Sequence, residues 1–469
     1  MMQRLLLCGR NLAASRTVAL AGASALPCRC SIPHQQQQPG VVLALRSSFA
    51  GASATPPCWM TLAAAAGAAA ATAVLFGFDR QLKPATAHCG EAAQHDVRVT
   101  TYNVLAPLLS NPSLFPKCPD GATKQENRLP KVMARMEAET ALGAVIGLQE
   151  VDLLWAGKLH TFFAERGYVA VFAQYGNTFT GYMGVMLAWP REQYEAMDVE
   201  ISRISDTAPE GTYPKTGGDA RSTLAPFGML TYSGLKEVIG CPPPESQNQQ
   251  ENAEWNMAKS RFNEAIFVRL RPRGKPQLPS FCVSTYHMPC LFGPPEKVRV
   301  VNIHTYLLLK RLKDFAGSDP AILMGDFNFK PGDSPYILAA SGGSFEAAKI
   351  GAAIPEELEG LKARLPENAP WPAGLGSAYR IFHGNEPLFT NFAQTGAMGE
   401  PFVDTLDYIW FTPQQLSVID CPQLPQTREE VQGPFPNQAE PSDHLPLRAT
   451  LRVLRDGRAA GVSTFVGSS

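Results

Sequence analysis

The chain has 469 residues, with 41 Lys and Arg against 42 Asp and Glu, for a formal net charge of −1. That balance excludes a general electrostatic coat for nucleic acid, although it leaves room for a local basic groove. The ten cysteines are scattered without paired CxxC motifs and read as free thiols, with no zinc site.

Residues 1–78 contain no Asp or Glu and five arginines, Arg4, Arg10, Arg16, Arg29 and Arg46. Such an acid-free, Ser-rich start predicts an organellar transit peptide, with the mitochondrion as the expected address; a low-complexity leader is the plainer reading. Residues 59–78 form an uncharged stretch long enough to span a bilayer, but nine of the twenty are alanine, which makes insertion marginal. A membrane anchor, a bipartite sorting signal and an Ala-rich helix all fit. The leader is taken as 1–95 and the folded domain as 96–455, with a loose tail at 456–469.

Within the domain, β-branched alternation predicts a strand at 97–102, and apolar spacing of Leu129, Val132, Met133 and Met136 predicts a helix over 124–141. Strands are expected at 144–148, 182–189, 264–270, 281–286, 321–324, 405–411 and 445–453, with a helix at 296–315. Two stretches break the pattern. Residues 203–256 and 342–386 are rich in Gly, Pro and small or polar residues and read as surface insertions. Strands alternating with helices predict an α/β fold, a two-layer β-sandwich flanked by helices.

Several polar groups follow apolar strands: Asn103, Glu150, His287, Asp326 with Asn328, and the pair Asp443 and His444. A strand end fixes a side chain at the sheet rim, where a site needs rigid groups. Singly, each has an ordinary explanation: a solvated carboxylate, a turn, a core histidine. Asp407 is different, because a carboxylate between Leu406 and Tyr408 in an apolar run is expected to be buried with a partner. Together they compose a phosphoryl-transfer site. Glu150 offers a hard oxygen ligand for Mg²⁺ or Mn²⁺. Asp326 can take a proton from water that Asn328 orients. His287 and His444 can donate to developing negative charge, with Asp407 holding His444 in one tautomer.

YNVL (102–105), LQEVD (148–152), MGDFN (324–328), LDYI (406–409) and PSDH (441–444) stand in an order that resembles the endonuclease/exonuclease/phosphatase superfamily. The resemblance covers roughly 97–453. It implies metal ligation by Glu150, contact of Asn103 with metal or phosphate, water handling by Asp326 and Asn328, and transition-state stabilisation by His287, Asp443 and His444. Leu105 and His287 depart from the abasic-site endonucleases. The segments YNVLA, LQEVD and GDFNFKPGDSPY look most like the deadenylase branch, which includes carbon-catabolite-repressor nucleases, Angel, nocturnin and mitochondrial 2′-phosphodiesterase. The sequence STYH at the first histidine is atypical of that branch.

The resemblance implies a Mg²⁺-dependent 3′-5′ exoribonuclease acting on RNA. A phosphatase of nucleotide cofactors and a sphingomyelinase-type lipid phosphodiesterase are the alternatives. Phe402, five residues before Asp407, matches a base-stacking aromatic of the branch, or else is a core residue. Arg269, Arg271, Arg273 and Lys275 are either a phosphate-steering set or a solvated basic loop.

Overall fold

The computed structural model describes residues 94–214, 252–366, 368–396 and 399–454. Residues 1–93 of the expected leader, including the 59–78 stretch, most of the 203–256 segment and the 456–469 tail lie outside these residues, and the folded domain begins at β1 from His95. Among the described residues no helix is long and apolar enough to cross a membrane.

In chain order the elements are β1 (His95–Asn103), α1 (Gln125–Ala141), β2 (Val145–Val151), α2 (Leu153–Glu165), β3 (Tyr168–Gln174), β4 (Gly184–Pro190), β5 (Tyr194–Arg203), α3 (Ala253–Lys259), β6 (Glu264–Pro272), β7 (Phe281–His287), α4 (Pro295–Ala316), β8 (Ala321–Asp326), α5 (Ser334–Ala340), β9 (Gly376–Ser377), α6 (Ala378–His383), β10 (Asn391–Ala393), β11 (Phe402–Asp404), β12 (Asp407–Phe411), β13 (Leu416–Asp420) and β14 (Leu447–Val453). Two six-stranded sheets form, in the orders β13-β14-β1-β2-β4-β3 and β5-β6-β7-β8-β12-β9, and β10 pairs with β11 separately. Each large sheet holds one parallel pair, β1 with β2 and β7 with β8.

The period-2 pattern of the strands builds three apolar layers. Val97 and Val99 of β1, Val145 of β2, Val283 of β7, Ile322 and Met324 of β8, and Ile409 of β12 meet between the sheets. Tyr102, Ile146 and Leu148 point the other way, onto Leu129, Val132 and Met136 of α1 and Trp155 and Leu159 of α2. Cys282, Tyr286, Leu323, Tyr408 and Trp410 meet α4 on the opposite outer face. The result is the expected two-layer β-sandwich flanked by helices.

Several expectations need correction. α2, β3 and β5 were not anticipated; α2 begins directly behind the LQEVD motif, where Asp152 caps it by accepting from Trp155 N at 2.7 Å. The strand expected from 182 begins at Gly184, because Tyr182 sits at φ 55° in the preceding turn. The strand expected from 405 starts at Asp407 as β12, and a separate short strand before it, β11, pairs with β10. Residues 342–386 are not a surface excursion: Phe345, Leu358, Leu361, Leu365, Trp371 and Leu375 are buried in the α4 layer. Trp371 Nε1 donates to Leu309 O of α4 at 3.1 Å. At about 1.5–3 kcal/mol per large buried side chain, these anchors tie the segment to the body despite its loop-like composition.

Candidate active site

The same alternation that fills the inter-sheet core delivers the polar groups. Val97, Val99 and Thr101 lead at two-residue spacing to Asn103, Ile322 and Met324 lead to Asp326, and Phe281, Val283 and Thr285 lead to His287. β12 runs antiparallel, so Asp407 is its first residue and lies opposite Asp326, while His287 lies opposite Asp326 on the other side. Four apolar strands therefore end at one rim with a polar side chain on the inner face.

Glu150 reaches the cluster by breaking the pattern. The β2–β4 register shifts between Gln149 and Val151, and Glu150 takes φ 59°. Asn328 sits at φ 49° and Leu105 at φ 57°. Three segments of one site thus hold left-handed backbone at non-glycine residues, where strain of order 1–3 kcal/mol each persists only if the surroundings enforce it. Gly325 has φ 154°, and a Cβ there would lie 1.9 Å from Tyr286 O, so the residue before Asp326 must be glycine.

The groups converge on one point. Asn103 Nδ2 donates to Glu150 Oε1 at 3.1 Å and to Asp326 Oδ2 at 2.9 Å. Ala106 N donates to Glu150 Oε2 at 2.9 Å, and Leu105 N to Asn103 Oδ1 at 2.9 Å. His287 Nε2 and His444 Nε2 lie 3.5 and 3.7 Å from Asp326 Oδ2. His287 Nε2 is also 4.0 Å from Glu150 Oε1. Asn328 N donates to Asp326 Oδ1 at 3.0 Å and Asn328 Nδ2 to Met288 O at 3.0 Å. His444 Nδ1 is 2.8 Å from Asp407 Oδ2, which also accepts from Thr390 Oγ1 at 2.6 Å. Ser442 Oγ donates to Asn103 O at 2.6 Å and so ties the loop of Asp443 to β1.

Burial pushes Asp326 up to about 6, with His444 opposing and Asp407 adding to the rise. Burial also raises Asp443, against the pull of His444. For His444 burial disfavours the charged ring, but Asp407, Asp326 and Asp443 outweigh it and hold the imidazole well above its usual range. Acidic groups crowd a buried cleft, and Asp407 Oδ1 is buried without a hydrogen-bond partner among the described residues. Such an oxygen-rich, negatively charged donor set fits a hard divalent cation. Donor atoms of Asp326, Asp407 and His444 also lie within 4.8 Å of one another. Of these, Asp407 and His444 are engaged with each other, which favours the Glu150 and Asn103 side for an ion.

Phe402 stands apart from this network. It is half-buried, 5.9 Å from the Phe292 ring, with Lys330 Nζ 5.4 Å from its ring centroid; Lys330 also pairs with Asp404 at 2.8 Å. Phe292 and Lys330 come from the loops that follow His287 and Asp326. The basic set on β6 is elsewhere. Leu270 pairs with Phe281, at the end of β7 remote from His287; Arg269 is bound to Asp319, Arg271 to Glu195, and Arg273 Nε to Arg191 O. Arg269, Arg271 and Arg273 are thus engaged at the end of the sheet away from the site, which disfavours their steering a phosphate into it.

Three groups escaped the sequence reading. Thr390 anchors Asp407 from a loop with no periodic signal. Tyr175, just past β3, reaches His287. Arg128 is fully buried on α1: Nε donates to Pro441 O at 2.5 Å and Nη2 to Val104 O and Leu105 O at 2.5 and 2.6 Å. A charged residue in register with Val132 on the apolar stripe was the available signal.

Residues 100–444 match the model of the Endonuclease/Exonuclease/phosphatase family. The CCR4-Not complex 3′-5′-exoribonuclease subunit Ccr4 of Aspergillus niger is 25% identical over 401 residues, 78% of this chain and 53% of that protein. Nocturnin of Drosophila melanogaster is 25% identical over 370 residues, 78% of this chain and 48% of that protein. The chain spans about half the length of these curated relatives. The solved structure of ANGEL2, a 2′,3′-cyclic phosphatase, in complex with adenosine-2′,3′-vanadate, shares the fold with a TM-score of 0.51 at 18% identity, covering 77% of this chain and 99% of that one.

Proposed function

The chain belongs to the Endonuclease/Exonuclease/phosphatase family, and we propose that it stands on the deadenylase branch of that family and is a divalent-metal-dependent 3′-5′ exoribonuclease that shortens RNA from the 3′ end. The observation that carries this reading is the convergence of Asn103, Glu150, His287 and His444 on Asp326. The name of the Ccr4 relative supplies the substrate class.

Glu150 and Asn103 would hold Mg²⁺, with Mn²⁺ able to substitute. When bound, the ion supplies Lewis-acid polarisation of a phosphoryl oxygen. The rest falls to the chain's own residues. Asp326, ionised above about pH 6, accepts the proton of the attacking water. Asn328 spends its amide nitrogen on Met288 O, which leaves Oδ1 to orient that water. His287 and His444 donate from Nε2 to the charge that builds on phosphorus, and Asp407 keeps His444 protonated. Asp443, raised by burial, adds a donor when protonated. Phe402 and Phe292 offer apolar faces to a terminal base.

The test is a parallel assay of the purified chain on oligo(A), mixed RNA, single-stranded DNA, an abasic duplex, NADPH and sphingomyelin. Shortening of oligo(A) from its 3′ end is expected. Phosphate release from NADPH without RNA shortening would replace this reading with a nucleotide-cofactor phosphatase; sphingomyelin cleavage would replace it with a lipid phosphodiesterase. The acid-free leader supports a mitochondrial address. A fluorescent fusion of residues 1–95 that stayed in the cytosol would refute it.

A further inference from the structure

Tyr175 lies in none of the five motifs, yet its phenol meets the catalytic cluster. The β3–β4 turn sets it, with Tyr175 N and Gly176 N both donating to Met183 O, at 3.1 and 2.7 Å. Its ring stands edge-on to His287, centroids 6.0 Å apart at 70°. Its Oη is 2.5 Å from His287 Nδ1. The backbone of His287 is also pinned, since Asn263 Nδ2 donates to His287 O at 2.7 Å and Met288 N to Asp326 O at 2.9 Å.

We propose that Tyr175 is a positioning residue that donates to His287 Nδ1 and so fixes the neutral ring as the Nε2–H tautomer, with its one donor turned to Asp326 and Glu150. The role of that donor toward phosphate rests on the function proposed above; the direction of the hydrogen bond does not. A phenol has one proton to give. Burial holds Tyr175 well above the ordinary tyrosine range, so the proton stays on oxygen. Donation to Nδ1 leaves the ring proton on Nε2, because a neutral imidazole carries only one. Nε2 is the nitrogen 3.5 Å from Asp326 Oδ2 and 4.0 Å from Glu150 Oε1. A ring in the other tautomer would present a lone pair to those carboxylates and could not donate to a phosphoryl oxygen.

The test begins on the wild-type chain without substrate. Long-range ¹H–¹⁵N spectra, at a pH where His287 is neutral, are expected to show Nδ1 as the unprotonated acceptor and Nε2 as the protonated nitrogen. The reverse pattern overturns the proposal, whatever the enzyme's substrate proves to be. Tyr175→Phe keeps the ring and its edge contact while removing the hydroxyl. It is expected to lower kcat about 10- to 100-fold, as loss of an orienting partner does, with KM within twofold. In a His287→Ala background the same change should add nothing. Wild-type kcat in Tyr175→Phe, or an equal loss in both backgrounds, would also overturn it.

Discussion

His444 Nδ1 and Asp407 Oδ2 lie 2.8 Å apart, both buried, at the junction between the last motif and the first residue of β12. Asp407 raises two partners at once: it holds His444 well above its usual range against the cost of burial, and it adds to the burial-driven rise of Asp326 to about 6. The pair titrates as a coupled system. An ionised Asp326 and a protonated His444 define a bell-shaped profile, with activity lost as pH falls through about 6 and again as it rises through the raised His444 value. Asp407→Asn removes the largest charge raising His444 and one contributor to the burial-driven rise of Asp326, so the alkaline limb should move clearly to lower pH and the acid limb slightly. The neutral-pH rate should drop about 100-fold. A kcat/KM profile on a small chromogenic phosphodiester measures this, and unmoved limbs would refute it. Stability follows the same signs. The His444 contribution is complete below pH 6.5 and disappears as pH rises through its folded value, whereas the Asp326 penalty is absent below 3.8 and complete above about 6.

Glu150→Gln keeps the shape and the acceptor for Ala106 N but removes the charge. The fold should persist by circular dichroism, while Mg²⁺ affinity measured by calorimetry falls and hydrolysis drops by about 10³-fold or more, with partial rescue at high Mn²⁺. Undiminished hydrolysis by wild-type protein in EDTA would remove Glu150 from its role as ligand.

Much of this arrangement was legible because strand alternation and catalytic placement are one pattern. Ile322 and Met324 announce the face on which Asp326 stands, and Val97 and Val99 announce that of Asn103. Asp407, odd in an apolar run, is buried with His444 and Thr390 as partners. What stayed hidden depends on tertiary context. Arg128 and Tyr175 act across 313 and 112 positions of sequence separation, and no local period encodes such a contact. The left-handed backbone of Glu150 comes from a register shift that only the paired strand reveals. Residues 342–386 misled because widely spaced anchors such as Leu358 and Trp371 carry no helix or strand period.

Gly325→Ala should be among the most damaging single-methyl changes in the chain. The new Cβ would sit 1.9 Å from Tyr286 O, a backbone atom in the parallel β7–β8 ladder that aligns His287 with Asp326. A loss of about 4 kcal/mol or more in chemical denaturation is expected, in the range reserved for steric failure at special backbone positions. Gly332→Ala is the control: φ is 90°, but nothing lies within 4 Å, so only backbone strain of about 1–3 kcal/mol applies. Equal losses at the two positions would mean that the Tyr286 clash relaxes.

Arg128 is a buried cation that binds backbone carbonyls rather than an acid. Burial lowers it to about 10, Nη1 has no hydrogen-bond partner among the described residues, and the guanidinium lies 5.2 Å from the Trp155 ring. Its bonds join the loop after Asn103 to Pro441, ahead of Asp443 and His444. Arg128→Met fills the space but strands three carbonyls, so a loss of about 3 kcal/mol is expected in urea denaturation, at ~1–3 kcal/mol per unsatisfied buried group with partial relaxation. Arg128→Lys keeps the charge without the planar fork and should recover stability better than activity, because one ammonium cannot hold both loops in register. Full activity in the lysine variant would reduce Arg128 to packing.

Phe402 decides whether the cleft reads a base. With Phe292 5.9 Å away and Lys330 Nζ 5.4 Å from its ring, it is half-buried, not closed into the core, and it stands near loops that leave His287 and Asp326. A base placed on that face would be worth about 1–3 kcal/mol. Phe402→Ala should therefore reduce kcat/KM on oligo(A) by about 5- to 150-fold, the same interval expressed as a rate ratio. A small chromogenic phosphodiester has no base to stack, and its turnover should change less than twofold. Phe292→Ala should show the same split to a smaller degree, because Phe292 is the more exposed ring and buries less against a base. Lys330→Ala is expected to weaken oligo(A) chiefly at low salt, since an exposed ammonium acts through a screened field. Equal losses on both substrates for Phe402→Ala would make the ring a structural support of the β10–β11 hairpin, and base recognition would then have to come from another part of the cleft.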